Sequence, residues 1–189
     1  MQHRNSQKRF YNENYTYFVT GVTKSRYPYF KEEVFCEVFW EKLQLCIKLK
    51  GFFLHGWFLG YDHFHLLLTP MSNENISEIM RSLKTNASRA INQILEGEVC
   101  RPRLQNGNHE VHQSEINIHY SKLKSLQQKF HHKHPIPELS FPQFQWQQSF
   151  HDHVIRNQRD YETHLRYIEY NPVKHEMPEG WRWWGFGVN

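Results

Sequence analysis

Cysteine is scarce in this 189-residue chain, and Cys36, Cys46 and Cys100 are odd in number and widely spaced. That pattern excludes a disulfide-stapled scaffold, and the lack of any CxxC pair excludes the usual cysteine-zinc and redox sites. The three thiols are expected to be small buried hydrophobes of an intracellular protein. No apolar run approaches membrane-spanning length, so no membrane partner is expected. The segment Met1 to Arg9 is polar and basic and has no apolar stretch of the kind a secretory signal requires, which adds to the expectation of a cytoplasmic location. Charge of one sign is in small excess: Lys plus Arg exceed Asp plus Glu by 23 − 19 = 4. This permits nucleic-acid binding without establishing it. What the chain has in quantity is aromatic rings, 16% of residues. Rings and cations together suit unpaired nucleic acid, whose bases stack and whose phosphates pair, and the same rings suit an aromatic core. The length fits one domain over residues 1–189.

Tyr15 to Thr23 combines aromatic and β-branched residues and reads as a strand. Lys31 to Lys50 reads as a helix with Phe35, Val38, Phe39, Cys46 and Leu49 on its inner face and Gly51 as its stop. Phe52 to Gly60 and Phe64 to Thr69 are short apolar runs around Gly60-Tyr61-Asp62 and read as a strand pair. Asn75 to Leu95 carries the clearest amphipathic pattern, Ile76, Ile79, Met80, Leu83, Ala87, Ala90, Ile91 and Ile94, with Asn75 and Glu78 placed to cap it. Residues 97–142 form a polar, histidine-rich insertion with a modest helix over Glu115 to Phe130. Phe144 to Ile155 reads as a strand, and Asn157 to Tyr170 as a helix cut off by Asn171-Pro172. The pattern predicts an α+β fold: a single antiparallel β-sheet of the ferredoxin-like βαββαβ kind, with helices on one face, plus a C-terminal tyrosine-bearing helix. The other face is left free for a site.

Side chains alternate along a strand, so His63 and His65 project together while Phe64, Leu66 and Leu68 project toward the helices. Two imidazoles on one face can chelate a divalent ion, although a His-x-His pair alone is weak evidence. In the last helix, at about 100° per residue, Asp160, His164, Tyr167 and Asn171 fall in one polar stripe beside an apolar stripe of Tyr161, Leu165 and Ile168. Helical phasing alone does not separate a reacting tyrosine from a surface one, or a ligand asparagine from a helix terminator. Arg81, Lys84 and Arg89 share a face of the Asn75 to Leu95 helix. Such a face suits phosphate contact and equally suits solvent.

The string Tyr167-Ile168-Glu169-Tyr170-Asn171-Pro172-Val173-Lys174-His175, preceded by Trp146-Gln147, Phe150 and Asp152-His153-Val154-Ile155-Arg156 and, far upstream, by His63-Phe64-His65, resembles the REP-associated tyrosine transposases. These are relatives of the single-tyrosine insertion-sequence transposases in the HUH nuclease group, named for histidine, hydrophobic residue, histidine. The match covers residues 15 to 95 and 144 to 178. The resemblance implies that His63 and His65 are metal ligands, Asn171 the third ligand and Tyr167 the nucleophile, with Mg2+ or Mn2+ as cofactor. It also implies cleavage and strand transfer of single-stranded, hairpin-forming, REP-like palindromic DNA through a 5′-phosphotyrosine link, in a nucleoid-associated bacterial setting. Arg81, Lys84, Arg89, Arg156 and Lys174 become phosphate-contact candidates, Trp146 a candidate base-stacking residue, and a monomer is expected over a homodimer. Two features depart from the family: the long 97–142 segment, and Tyr61-Asp62 where Pro-Asn is usual. Two other functions stay open at this point, a catalytically silent nucleic-acid-binding module and an interaction domain using the histidine-rich insertion. Trp181, Trp183 and Trp184 read either as packing elements or as a flap.

Overall fold

Alternating burial along three strands separates the two faces of the sheet. The computed structural model describes residues 15–71, 75–97, 110–135 and 141–188. In β1 (Tyr17–Val22), Tyr17 and Val19 enter the main core while Phe18 packs on the other face. In β3 (His63–Pro70), Phe64, Leu66 and Leu68 join that core and Leu67 belongs to a separate small cluster. β2 (Phe52–Leu59) changes parity at a bulge between Leu54 and Gly56. Phe52 and Leu54 before it and Trp57 and Leu59 after it therefore all reach the main core, although their positions differ by an odd number. With β4 (His151–Val154) and β5 (Trp184–Val188), the five strands run in the order β4-β1-β3-β2-β5, every neighbouring pair antiparallel.

Helices α1 (Glu33–Lys50) and α2 (Ile76–Leu95) cover the main-core face. Gly51 ends α1 in the left-handed region at φ 59°, a conformation glycine adopts freely, and its N–H donates to the Ile47 carbonyl at 3.0 Å. Asn75 Oδ1 accepts the Glu78 N–H at 3.0 Å, so the expected cap of α2 is formed. All eight apolar stripe residues of α2 are buried. In α1, Leu49 is a correction: it is 64% exposed, because the buried face ends with Cys46 and Ile47.

Within the 97–142 segment, α3 (Glu110–Lys133) is longer than expected, and Leu123, Leu126 and Phe130 bury into the same main core. His109 and the side chains of His112, Ile116 and His119 lie outside the described residues. The anticipated strand over Phe144 to Ile155 is interrupted. Phe144 and Trp146 turn into the main core, Trp146 forms an isolated bridge with Thr23, and only β4 (His151–Val154) is a strand, at the edge beside β1.

The last helix, α4 (Gln158–Lys174), continues through Pro172 rather than stopping before it. Proline removes one N–H from the ladder. The helix tolerates this in its final turn because the His175 N–H reaches the Asn171 carbonyl at 2.9 Å and the Met177 N–H reaches Pro172 at 2.8 Å. α4 lies on the opposite face from α1 and α2, over a small cluster of Phe58, Leu67, Ile155 and Ile168. Gly56 allows this close approach: a Cβ there would sit 3.1 Å from Ile168 Cδ1 and from Phe186 Cδ1. A fifth strand, β5 (Trp184–Val188), pairs with β2 at the other edge and was not anticipated. The tail tryptophans are packing elements, with Trp183 buried and Trp181 Nε1 donating to the Leu59 carbonyl at 2.9 Å. Among the described residues, no helix is long and apolar enough to cross a membrane.

Candidate functional site

His63 and His65 emerge side by side on the α4 face of β3, with ring centroids 5.0 Å apart and each residue 5% exposed. Each ring is held through Nδ1. His63 Nδ1 lies 2.6 Å from Asp62 Oδ1, and His65 Nδ1 lies 2.8 Å from Thr20 Oγ1, its cross-strand partner on β1. Anchoring one nitrogen fixes the ring and leaves Nε2 as the ligating position. His65 Nε2 is buried with no hydrogen-bond partner in the protein. Burial, reinforced by the neighbouring His63, His175 and Lys174, pushes the His65 imidazole down to about 2, so its lone pair stays free. Burial raises the Asp62 carboxyl, but hydrogen bonds with His63 and Arg26 outweigh it and hold the group below its usual range, as an anion. Gly60 makes room for the ring, since a Cβ there would meet His63 Cε1 at 2.9 Å.

α4 brings the other candidates over this pair. Asn157 caps the helix, its Oδ1 accepting the Asp160 N–H at 3.0 Å, and Leu165 and Ile168 settle on the sheet. The polar stripe is thereby turned toward the histidines. Asn171 is fully buried; its amide nitrogen donates to the Tyr167 carbonyl, and its Oδ1 is buried without a partner. His175, four residues further along the same stripe, has its ring 4.6 Å from that of His63, stacks on Phe58 at 5.8 Å, and buries an unpaired Nε2. Burial, with help from His63, lowers its basicity. The Tyr167 ring stands 5.2 Å from His65 and 5.8 Å from Phe18, and Lys174 Nζ donates to its hydroxyl at 2.9 Å.

Three buried polar atoms on this face of the sheet, His65 Nε2, Asn171 Oδ1 and His175 Nε2, lack partners. Each such atom costs about 1–3 kcal/mol. Two neutral imidazoles and an amide oxygen form a donor set that fits a divalent cation. Thr20, Asp62 and His175 escaped the sequence reading. His175 was detectable, since it extends the 160-164-167-171 stripe by another four. Asp62 carries no periodic signal that marks it as the partner of His63, and the pairing of Thr20 with His65 depends on strand register.

The cationic candidates divide between two places. Arg156, on the loop entering α4, and Lys174 lie on the histidine side. Arg81, Lys84 and Arg89 are on α2, across the sheet. Arg81 pairs with Glu78, and Lys84 Nζ donates to the Gln147 and Ser149 carbonyls at 2.8 and 2.9 Å. Lys84, Arg89 and Trp146 line an open groove of about 480 Å³. Trp146 packs against Phe30, Phe39, Phe64 and Phe144, and its indole N–H bonds the Lys84 carbonyl, which places the ring in the core. In the insertion, His131 Nε2 lies 2.7 Å from the Ile94 carbonyl and His134 3.3 Å from Glu32. Both tie α3 to its neighbours.

The family described as "Transposase IS200 like" matches residues 11–104. A REP-associated tyrosine transposase of Escherichia coli (strain K12) is 36% identical over 61 residues, 32% of this chain and 31% of that protein. A Haemophilus influenzae protein is 46% identical over 41 residues, 22% of this chain and 23% of its own length. The aligned stretches thus span a third or less of these relatives. A solved structure described as a REP-associated tyrosine transposase bound to a REP hairpin superposes with a TM-score of 0.62 at 18% identity, covering 96% of this chain and 82% of that one, and shows a common fold. Over residues 11–104 this chain is similar to the IS200-like transposases, over a shorter stretch it is similar to the REP-associated tyrosine transposases, and it shares the fold of a solved member.

Proposed function

We propose that this chain cleaves and rejoins single-stranded, hairpin-forming DNA, with Tyr167 as nucleophile and with His63, His65 and Asn171 holding Mg2+ or Mn2+. The observation that carries this reading is the approach of the Tyr167 ring to two anchored histidines, with the buried, unpaired Asn171 oxygen one turn beyond Tyr167 on the same helix. All four groups come from the same molecule, which favours a monomer. REP-like palindromes are the proposed substrate class, by analogy with the hairpin-bound structural relative.

When bound, the ion supplies Lewis-acid polarisation of the scissile phosphate and offsets its charge. Imidazoles beside a single amide favour Mn2+ over the harder Mg2+. Tyr167 Oη attacks phosphorus, the new O–P bond forms a 5′-phosphotyrosine, and the P–O3′ bond breaks to leave a 3′-hydroxyl that takes up the proton. Lys174 holds the tyrosine oxygen and counters negative charge on it. A 3′-hydroxyl from another strand reverses the step, so rejoining needs no nucleotide cofactor. Arg156 is placed for phosphate contact beside the site, and Lys84 and Arg89 for contact with a more distant stretch of the strand.

The test is a hairpin oligonucleotide incubated with the chain and Mn2+, followed by denaturing electrophoresis. Wild type is expected to form a covalent protein-DNA adduct, and Tyr167→Phe to lower its rate by about three orders of magnitude or more. An adduct formed by Tyr167→Phe at the wild-type rate refutes the assignment.

A further inference from the structure

A second group of ligand-type side chains lies outside the His63, His65 and Asn171 set. His153 Nε2, on edge strand β4, is 2.9 and 3.1 Å from the two Asp160 carboxylate oxygens. His164, one helical turn beyond Asp160 on α4, brings Nδ1 to 2.9 Å from the Asp160 backbone carbonyl and 3.1 Å from the same carboxylate. The two imidazoles stack at 4.8 Å with their planes 21° apart, and one ligand atom from each of the three residues lies within 4.8 Å of the others. The carboxylate is steadied by the Arg156 backbone N–H at 3.0 Å. Hydrogen bonding from His153 keeps Asp160 below the usual carboxylate range, as an anion.

We propose that His153, Asp160 and His164 form a second metal site, for a late first-row divalent ion such as zinc, which ties the start of the tyrosine-bearing helix to the edge of the sheet. Two imidazoles and one carboxylate suit zinc, cobalt or nickel rather than magnesium, and three protein ligands leave coordination positions for water or a phosphate oxygen. Side-chain exposures of 41% for His153, 19% for Asp160 and 20% for His164 give the ion a path in from solvent. The triad links two consecutive elements that are anchored to different strands, β4 to β1 and α4 to β2 and β5. The Phe18 ring contacts both His164, at 4.6 Å, and His65, at 5.1 Å, so the clamp stands beside the tyrosine site without sharing its ligands. It does not rest on the activity proposed for Tyr167.

The experiment measures zinc bound per tag-free full-length chain by equilibrium dialysis, together with the zinc-induced change in melting temperature. Other histidines also take up zinc, so the reading is the difference between wild type and variant. Asp160→Asn is expected to lose one zinc equivalent or bind it at least about tenfold more weakly, and to lose the associated rise in melting temperature. His153→Gln, at a partly exposed edge position, is the variant expected to fold regardless and is expected to show the same loss. His63→Ala/His65→Ala is expected to keep that equivalent. Wild-type zinc uptake by both Asp160→Asn and His153→Gln overturns the proposal, as does loss of the equivalent in the His63/His65 variant alone.

Discussion

The two faces of the sheet are built from the same strands and do different work. On one face, Phe64, Leu66 and Leu68 of β3 meet α1, α2 and α3 in a continuous apolar core. On the other, the intervening His63 and His65 meet α4 over a cluster of only four buried hydrophobes. The first face leaves Glu41 Oε2 and His134 Nε2 without hydrogen-bond partners at its margin, with Glu41 paired to Lys122 and His134 Nε2 3.3 Å from Glu32. The second leaves His65 Nε2, Asn171 Oδ1 and His175 Nε2 buried and unpaired. A fold tolerates unpaired polar atoms on one face when the other supplies enough apolar burial to offset them. Stability and reactivity are thus assigned to alternate residues of a single strand.

The largest effect expected from this division is on the core face. Leu66→Ala removes a fully buried side chain and is expected to cost about 2–5 kcal/mol in denaturant unfolding, while the folded fraction keeps its adduct rate. A proportional loss of adduct rate in folded protein breaks the comparison. On the other face, Asn171→Leu keeps the volume but removes the unpaired oxygen. Stability without metal is expected to rise by about 1 kcal/mol, and Mn2+ affinity, followed by titration calorimetry, to fall about 10- to 100-fold. A fall in both means that the asparagine is structural. Lys174→Gln deletes a charged donor to the Tyr167 hydroxyl. Adduct formation is expected to slow about tenfold, the equivalent of roughly 1.4 kcal/mol, with melting temperature unchanged, since Lys174 is exposed.

The smallest effect belongs to Tyr29, buried on the core face with its hydroxyl donating to the Pro142 and Gln143 carbonyls. Burial, with the nearby Tyr27 adding to it, pushes its phenol up from 10.0 to about 12. Folding therefore favours the protonated form, so the stability it contributes is whole below pH 10 and is lost as pH climbs toward 12. Tyr29→Phe is expected to flatten that alkaline decline in melting temperature, and a slope identical to wild type removes Tyr29 from the account.

Much of this was legible beforehand where a local rule applied without competition. The α2 stripe, the Asn75 cap, the Gly51 stop and the opposite facing of His63 and Phe64 all follow from period and backbone preference. Misreadings came where tertiary contacts overrode such rules. Pro172 was expected to end α4, yet the ladder resumes around it. Phe144 and Trp146 looked like strand residues and instead turn into the core. β5 was invisible because its single tryptophan and its glycines gain their pairing only from the exposed edge of β2. Trp146, offered for base stacking, is held by four neighbouring rings.

By itself the sequence determined which residues share a face: His63 with His65 at period two, and Asp160, His164, Tyr167 and Asn171 at the helical period. Only the tertiary structure decided that these two faces meet. Their approach depends on the bulge in β2, on the room left at Gly56 and on the register that sets Thr20 opposite His65. Periodicity is a property of a few successive backbone dihedrals. Register and helix docking are set by packing among residues far apart in the chain, such as His55 and Tyr161, 106 positions apart, whose side chains meet at 3.0 Å.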